Sequence, residues 1–242
     1  MPVMRTIKAT PLYTVLGILI LPILTSCTTN LNQNSSSYSE RKIEEGSFTR
    51  IKLQGGYNVK LVQGSKPSVI LKTADDLIDK IKIEIKDQEL SVETKVKNIG
   101  TDEVLLTITA ENFEDIKIEG GVYLTTNGYI EVKNFNLNVE GGANIDMQIK
   151  ADTFKTKASG GVNMEFEGTA GQFTAISEGA ANIDADHLEA QHVVCSVSGV
   201  GNASVYAIKE LDAKVEGVGK IGYRGEPSIT KKVDGIGLVY RK

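Results

Sequence analysis

Glycine-centred turns that recur every 18–21 residues are the feature that most constrains the fold of this 242-residue chain. The segments around them read VEGGANI, ASGGVNM, SEGAANI, VSGVGNA, VEGVGKI and VDGIGLV, and an earlier copy, LQGGYNV, occupies residues 53–59. Repetition at a fixed period of this length is typical of solenoids and other repeat architectures. The turn glycines are Gly120, Gly141, Gly160, Gly179, Gly199, Gly217 and Gly235.

Apolar and polar residues alternate on both sides of each turn. Leu137 and Val139 precede Gly141 at a spacing of two, and Ala143 and Ile145 follow it at the same spacing. This period indicates strands with one buried and one solvated face. A repeat of about 19 residues is too short for a helix, two loops and a strand, but it accommodates three short strands with three bends. The pattern therefore predicts an all-β fold, a parallel β-helix whose coils stack at the usual strand spacing of about 4.8 Å.

Composition agrees with a narrow, tightly turning coil. The chain has 24 glycines, no tryptophan and only 6% aromatic residues. Glycine adopts positive φ angles without steric cost, as a sharp bend requires. The positions predicted to face inward include the small residues Ala158, Ala175, Ser177 and Ala213. Asparagine tolerates the left-handed region and can stack as an amide ladder, which we expect for Asn144, Asn163, Asn182 and Asn202.

Residues 57–115 follow a different pattern. Their strands alternate well, but QGSKPS and KDQEL suggest hairpin turns, and TADDLIDK suggests one helical turn. We expect a strand meander that covers the N-terminal end of the solenoid, because unpaired strand edges invite aggregation. At the other end, Pro227, Lys231 and Lys232 are expected to discourage further strand pairing.

The first 46 residues predict an anchored protein. Arg5 and Lys8 precede a 14-residue apolar stretch, which suits a signal peptide better than a transmembrane helix. The stretch leads into LTSC, which resembles the lipobox of bacterial lipoproteins and predicts cleavage after residue 26 and lipidation of Cys27. The alternative is an ordinary secretory signal in which Cys27 has no special role. We therefore expect a signal peptide over residues 1–27, a flexible tether over residues 28–46 and a folded domain over residues 47–242.

Three segments resemble a known family. FTRIKLQGGYNVKLVQG, DDLIDKIKIEIKDQELSVE and GYRGEP are similar to the bacterial head GIN domain proteins, named auto-transporter adhesins and also a domain of unknown function. The resemblance covers about residues 48–240. It implies a right-handed β-helix in a Bacteroidetes-type envelope and an adhesin-like role. The chain departs from the pattern in its last turns, where Lys220 and Leu238 replace asparagine.

One surface constellation is a candidate ligand site. Each of three successive turns is followed by an asparagine and, two residues later, by a carboxylate on the same strand face. Stacking would bring these pairs together, where they could coordinate calcium or hydrogen-bond sugar hydroxyls. The alternative is an amide ladder beside a solvated acidic stripe. The candidate residues are Asn144, Asp146, Asn163, Glu165, Asn182 and Asp184.

Other chemistry is weakly represented. Removing residues 1–27 leaves 25 basic and 31 acidic residues, a net charge of −6, which argues against a nucleic acid partner. His187 and His192 lie five residues apart on no common face, so we predict no metal site. Cys195 lies four residues before its turn glycine, a position that predicted core residues occupy in other repeats. No Ser-His-Asp set or phosphate-binding loop is evident. We therefore predict no catalytic residues and no cofactor.

These observations predict a non-enzymatic lipoprotein that presents β-helix faces to a glycan or an envelope protein. Two alternatives stay open, a structural envelope protein without a small ligand and a carbohydrate-active β-helix enzyme. The enzyme is disfavoured because arginines, which would stabilise a charged sugar intermediate, are expected in the folded body only at Arg50, Arg224 and Arg241. Thr28 follows Cys27 where aspartate would favour inner-membrane retention, so an outer-membrane location is favoured.

Overall fold

Strands dominate the computed structural model, which describes residues 37–96 and 100–242. The strands are β1 (Tyr38–Ile43), β2 (Arg50–Gln63), β3 (Ser68–Ala74), β4 (Ile81–Lys86), β5 (Glu89–Thr94), β6 (Val104–Ala110), β7 (Asp115–Thr126), β8 (Ile130–Arg224) and β9 (Ser228–Arg241). One 3-10 turn, Ile78–Lys80, lies between β3 and β4, as the TADDLIDK segment predicted. The described part of the chain is therefore all-β, with no α-helix.

All nine strands belong to one mixed sheet. Its main path runs β1-β3-β6-β2-β7-β8-β9, and β4 and β5 join it through the pairing of β5 with β2. From β2 to β9 the neighbouring strands are parallel and in constant register, with Gly55 opposite Gly120 and Gly120 opposite Gly141. The same register returns at the other end, where Gly217 lies opposite Gly235. Equivalent positions of successive repeats are thus paired, as the periodicity predicted.

The turn glycines form one continuous column through the parallel part. Each has a positive φ angle, between 99° and 138° from Gly55 to Gly235. A β-carbon at Gly141 would lie 2.6 Å from the carbonyl oxygen of Gly120, and one at Gly199 would lie 2.7 Å from that of Gly179. Both the backbone angle and the close approach of the preceding turn therefore exclude a side chain.

The interior contains alternating residues of successive repeats. Ala158, Ala175, Ser177 and Ala213 are all buried, which confirms the inward positions predicted from the alternation. Phenylalanines from consecutive repeats contact one another in the same core, with ring centroids 5.6 Å apart for Phe135 and Phe154 and 5.1 Å apart for Phe154 and Phe173. Such contacts add to the burial of apolar area, which is the main stabilising contribution to the core.

Strands β3 to β6 cover the N-terminal side of β2. The two halves of β2 pair in parallel with β5 and β6, and these pair in turn with antiparallel β4 and β3. The KDQEL hairpin is confirmed, with Asp87 and Gln88 both at positive φ between β4 and β5. The QGSKPS hairpin is wrong, because β3 pairs with β6 rather than with β2. The cover itself lies where the meander was expected.

The tether was predicted over too long a range. Strand β1 lies within residues 28–46, where no order was expected, and pairs antiparallel with β3 from Tyr38 opposite Ala74 to Ile43 opposite Val69. Arg41 consequently belongs to the folded body, in addition to the three arginines expected there. The signal peptide, Cys27 and the first part of the tether lie outside the described residues.

Among residues 37–96 and 100–242 there is no helix with the length and apolar character needed to cross a membrane.

The paired parallel strands and stacked glycines agree with superimposed coils, whereas the complete right-handed β-helix stays a prediction.

The glycine column leads to a stability prediction. Gly141→Ala should lower the free energy of unfolding by about 1–3 kcal/mol, because alanine at φ +124° is strained and its methyl group meets the backbone of the preceding turn. Gly142→Ala is the matched control, since its β-carbon would be 4.0 Å from the nearest atom and its φ is not positive. Urea unfolding of both variants measures the difference, and equal stabilities would contradict the column's role.

Candidate functional site

The predicted pairs of asparagine and carboxylate lie side by side on one face. They line a shallow groove of about 370 Å³, together with Ile145 and Met164, whose side chains are buried on the opposite, inner face of the strands. We call the six polar residues of this groove the polar ladder. It consists of Asn144, Asp146, Asn163, Glu165, Asn182 and Asp184.

The constant register explains why these side chains converge. Asn144, Asn163 and Asn182 each follow their turn glycine by three residues, and the carboxylates follow by five. Both positions point away from the core, because the residues between and beside them are buried. The stacking is direct at one step, where Asn163 Nδ2 donates a hydrogen bond to Asn144 Oδ1 at 3.2 Å. The amide ladder is therefore present between these two residues.

Tyr123 extends the polar ladder, and the sequence analysis missed it. It follows Gly120 by three residues, lies opposite Asn144 in the strand register, and lines the same groove with 41% of its surface exposed. Its position relative to the turn glycine was a sufficient signal for membership of the column. The groove thus combines an aromatic ring with amides and carboxylates, a set that can contact both the apolar face and the hydroxyls of a sugar.

The face before each turn has a different character. Lysine and glutamate alternate there in close ion pairs, with Nζ–Oε1 distances of 2.6 Å for Lys117–Glu119, 2.9 Å for Lys157–Glu178 and 2.7 Å for Lys214–Glu216. The hydrogen bond from Lys117 lowers the pKa of the Glu119 carboxyl group below its ordinary value. Exposed pairs of this kind contribute little to stability. The lysine and glutamate charges of this face neutralise one another, so the polar ladder is the better candidate for binding an external group.

The histidines and arginines do not assemble into a site. His192 Nδ1 lies 2.9 Å from Glu210 Oε2 in an exposed pair, and His187 is exposed on β8. Arg50 donates to the carbonyl oxygen of Asp87 at 2.6 Å, whereas Arg241 pairs with Glu226. Across residues 37–96 and 100–242, no group of three or more His, Cys, Asp or Glu side chains is placed to hold a metal ion.

Cys195 is a core residue. Its side chain is buried in the same inward column as Leu137 and Ala213, and burial raises the pKa of its thiol to about 12. The thiolate is the nucleophilic form of cysteine, so this thiol is unreactive at neutral pH. The prediction of a buried structural role for Cys195 is confirmed.

Known proteins share this architecture. A profile of the family described as "Putative auto-transporter adhesin, head GIN domain" matches residues 47–227. A crystal structure of a "putative adhesin" from Bacteroides fragilis NCTC 9343 aligns with a TM-score of 0.82 at 25% identity, over 86% of this chain and 98% of that one. Another "putative adhesin", from Parabacteroides distasonis ATCC 8503, aligns with a TM-score of 0.67 at 21% identity over the same shares.

A third similar structure has a different description. It is a "Putative lipid binding protein" from Parabacteroides distasonis ATCC 8503, with a TM-score of 0.67 and 18% identity over 86% of this chain and 98% of that one. The search of curated proteins returns no match. At identities below 25%, such likeness establishes the fold alone. The profile match, by contrast, covers most of the sequence, including the glycine turns from Gly55 to Gly217, and shows that the chain belongs to the head GIN domain family.

Proposed function

We propose that this protein is a non-enzymatic, adhesin-like binding module of the bacterial cell envelope whose polar ladder binds a glycan. The observation that carries the proposal is the groove itself, in which three amides, three carboxylates and the exposed ring of Tyr123 lie next to one another. Protein sites for small ligands combine a few convergent polar groups with apolar or aromatic surface. The groove has that composition, whereas the face before each turn carries paired lysine and glutamate side chains.

We propose further that the body is a right-handed parallel β-helix. The parallel register, the glycine column and the stacked phenylalanines support it. In such a fold every ladder residue is fixed by the strands above and below, so little conformational entropy is lost on binding. A crystal structure in which the bends from Gly141 to Gly217 lie along different edges would overturn this arrangement.

The location follows from the N-terminal sequence. We propose that Cys27 is lipidated after cleavage of residues 1–26 and holds the protein at a membrane, with the outer membrane favoured by Thr28. Anchoring at a membrane suits an adhesin-like module, because a tethered domain meets ligands at the cell surface or within the envelope. More than one acyl chain makes such anchoring durable.

The absence of catalysis is part of the same proposal. It is supported by the scattered positions of the arginines, by the burial of Cys195 and by the lack of a metal-ligand group in the described residues. A β-helix enzyme that cleaves polysaccharides through a charged sugar intermediate would need an arginine or lysine near its acidic residues to stabilise that charge. The carboxylates of the polar ladder have no arginine among the residues that line their groove.

Glycan binding should depend on the polar ladder. The full chain with Asn163→Ala and Glu165→Ala should bind a glycan identified on an array at least about tenfold more weakly, because two hydrogen-bonding groups at the centre of the groove are lost, each contributing about 1 kcal/mol. Titration calorimetry with the identified glycan measures the change in Kd.

Asn202→Ala with Ser204→Ala is the matched control, since these residues occupy the same two positions after Gly199 but do not line the groove. The control should bind like the wild-type protein. Equal Kd values for the ladder variant and the wild-type protein would exclude the polar ladder as the binding site.

Membrane attachment should depend on Cys27. In a bacterial host that processes lipoproteins, the full chain with Cys27→Ser should lose incorporation of labelled palmitate and leave the membrane fraction. Cys195→Ser should retain both, because this residue is a buried core thiol. A Cys27→Ser protein that still carries label would contradict lipidation at this residue.

A further inference from the structure

The outermost strands of the sheet differ in how they are protected against further pairing. β1 and β4 are outer strands on the N-terminal side, and charged residues stand along both, in the segments SERK and KIEIK. Charges on an outer strand disfavour pairing with another chain. β9 is the last strand at the opposite side, and in the described part of the chain no strand pairs with its outer edge.

Only the first half of β9 has features that disfavour pairing with a further strand. Lys231 lies opposite the buried Ala213 in the strand register, so it occupies a position that is apolar in the preceding repeat. Lys232 follows it, and Pro227 precedes the strand. A charge in a core-facing position ends a stack of strands effectively, because a further coil would bury it. This is the part of β9 in which the sequence predicts that further strand pairing is discouraged.

The second half of β9 has no charge from Gly235 to Tyr240, and its large side chains are exposed except that of Val239, which is buried. Ile236 is 80% exposed, Leu238 51% and Tyr240 38%. The surface continues onto the two preceding repeats through the exposed Val200 and Val218. Val200, Val218, Ile236 and Leu238 border a mainly apolar groove of about 410 Å³, which is also lined by Gly201, Gly219 and Gly237 and by the polar residues Asn202 and Lys220.

The apolar surface is concentrated at this end of the molecule. Of the large hydrophobic side chains that are exposed in the described residues, four lie before residue 130 and all others lie between residues 194 and 240. Contiguous exposed apolar surface in a soluble domain marks an interaction site. Together with an unpaired strand edge, it favours a protein partner that supplies a strand.

We propose that the partner is a second copy of this chain, paired antiparallel along residues 236–240 with Leu238 opposite Leu238 of the second copy. In this register Ile236 lies opposite the second copy's Tyr240, and Gly237 lies opposite its Val239. The outward row is then apolar throughout, and the inward row pairs a glycine with a larger residue. Directly opposed side chains on one sheet face are the contacts that stabilise strand pairing.

Charge supports the same register. When Leu238 lies opposite Leu238, Arg241 of the second copy lies opposite Gly235, and its Lys242 lies opposite Asp234. Opposite charges therefore meet at both ends of the paired segment, and no like charges are opposed. Within one chain Asp234 already pairs with Lys232 at 3.0 Å, and Lys242 pairs with Asp186. The intermolecular pairs extend these contacts, so the apolar row remains the main source of affinity.

Self-complementarity identifies the second copy as the occupant. With a two-fold axis at Leu238, the same surface patch of each copy pairs its strand edge with the strand edge of the other copy, which is the usual arrangement of homodimers. A different partner would need its own aliphatic strand with charges arranged in the complementary order. The chain itself meets all of these requirements.

Cross-linking tests the register. The full chain with Leu238→Cys, purified in detergent and mildly oxidised, should form a disulfide-linked dimer, because opposed β-carbons in an antiparallel pair lie about 4.5–5.5 Å apart. Lys220→Cys is the matched control, since Lys220 lies opposite Leu238 one strand earlier. Its copies would be about 14 Å apart across three strand spacings, so it should not cross-link. Cys27 and the buried Cys195 are common to both variants.

A second measurement does not depend on a disulfide. Analytical ultracentrifugation of the full chain in detergent should give a dimer for the wild-type protein and a monomer for Leu238→Lys, which buries a charge at the two-fold axis. Circular dichroism should be unchanged, because Leu238 is half exposed in the single chain. A monomeric wild-type protein, cross-linking of both cysteine variants alike, or assemblies that persist in Leu238→Lys would overturn the proposal.

Discussion

The close approach of each turn to the one before it is the constraint on which the rest of the structure depends. At six of the turn glycines the backbone passes so near the preceding turn that a β-carbon would lie only 2.3–2.7 Å from its carbonyl oxygen; these are Gly120, Gly141, Gly160, Gly199, Gly217 and Gly235. This contact sets the register of neighbouring parallel strands, and the register aligns every other column. The core phenylalanines, the paired lysines and glutamates and the polar ladder all follow from that alignment.

The periodic features of the chain were predictable from its sequence, whereas among the non-periodic ones only the KDQEL hairpin and the 3-10 turn at Ile78–Lys80 were. The glycine spacing and the two-residue alternation predicted the strand faces and the buried Cys195, because both signals repeat many times. Strand β1 escaped prediction because YSERKI is polar and pairs only at the edge of the sheet. The QGSKPS segment resembled a hairpin locally, but β6 inserts beside β2 through a pairing that local sequence does not encode.

The candidate site was predicted in part for the same reason. Asn163 and Glu165 belong to repeats of similar sequence, so their convergence with neighbouring pairs could be expected. Tyr123 belongs to the same column but differs chemically, and an aromatic residue in a strand is usually counted with the core. Position relative to the turn glycine, rather than residue type, is the reliable guide to the surface of this molecule. That rule also locates Leu238 and Lys220, which continue the column where its asparagines end.

The constant register restricts how a gene for this fold can change in length. Losing or gaining one or two codons inside β8 would shift every later side chain between the inner and outer faces, or displace a glycine from its column. Duplication or deletion of about 19 codons, in contrast, would preserve all columns and only lengthen or shorten the molecule. Natural length variation should therefore come in whole repeats, with Lys231 and its neighbours kept as the terminal coil.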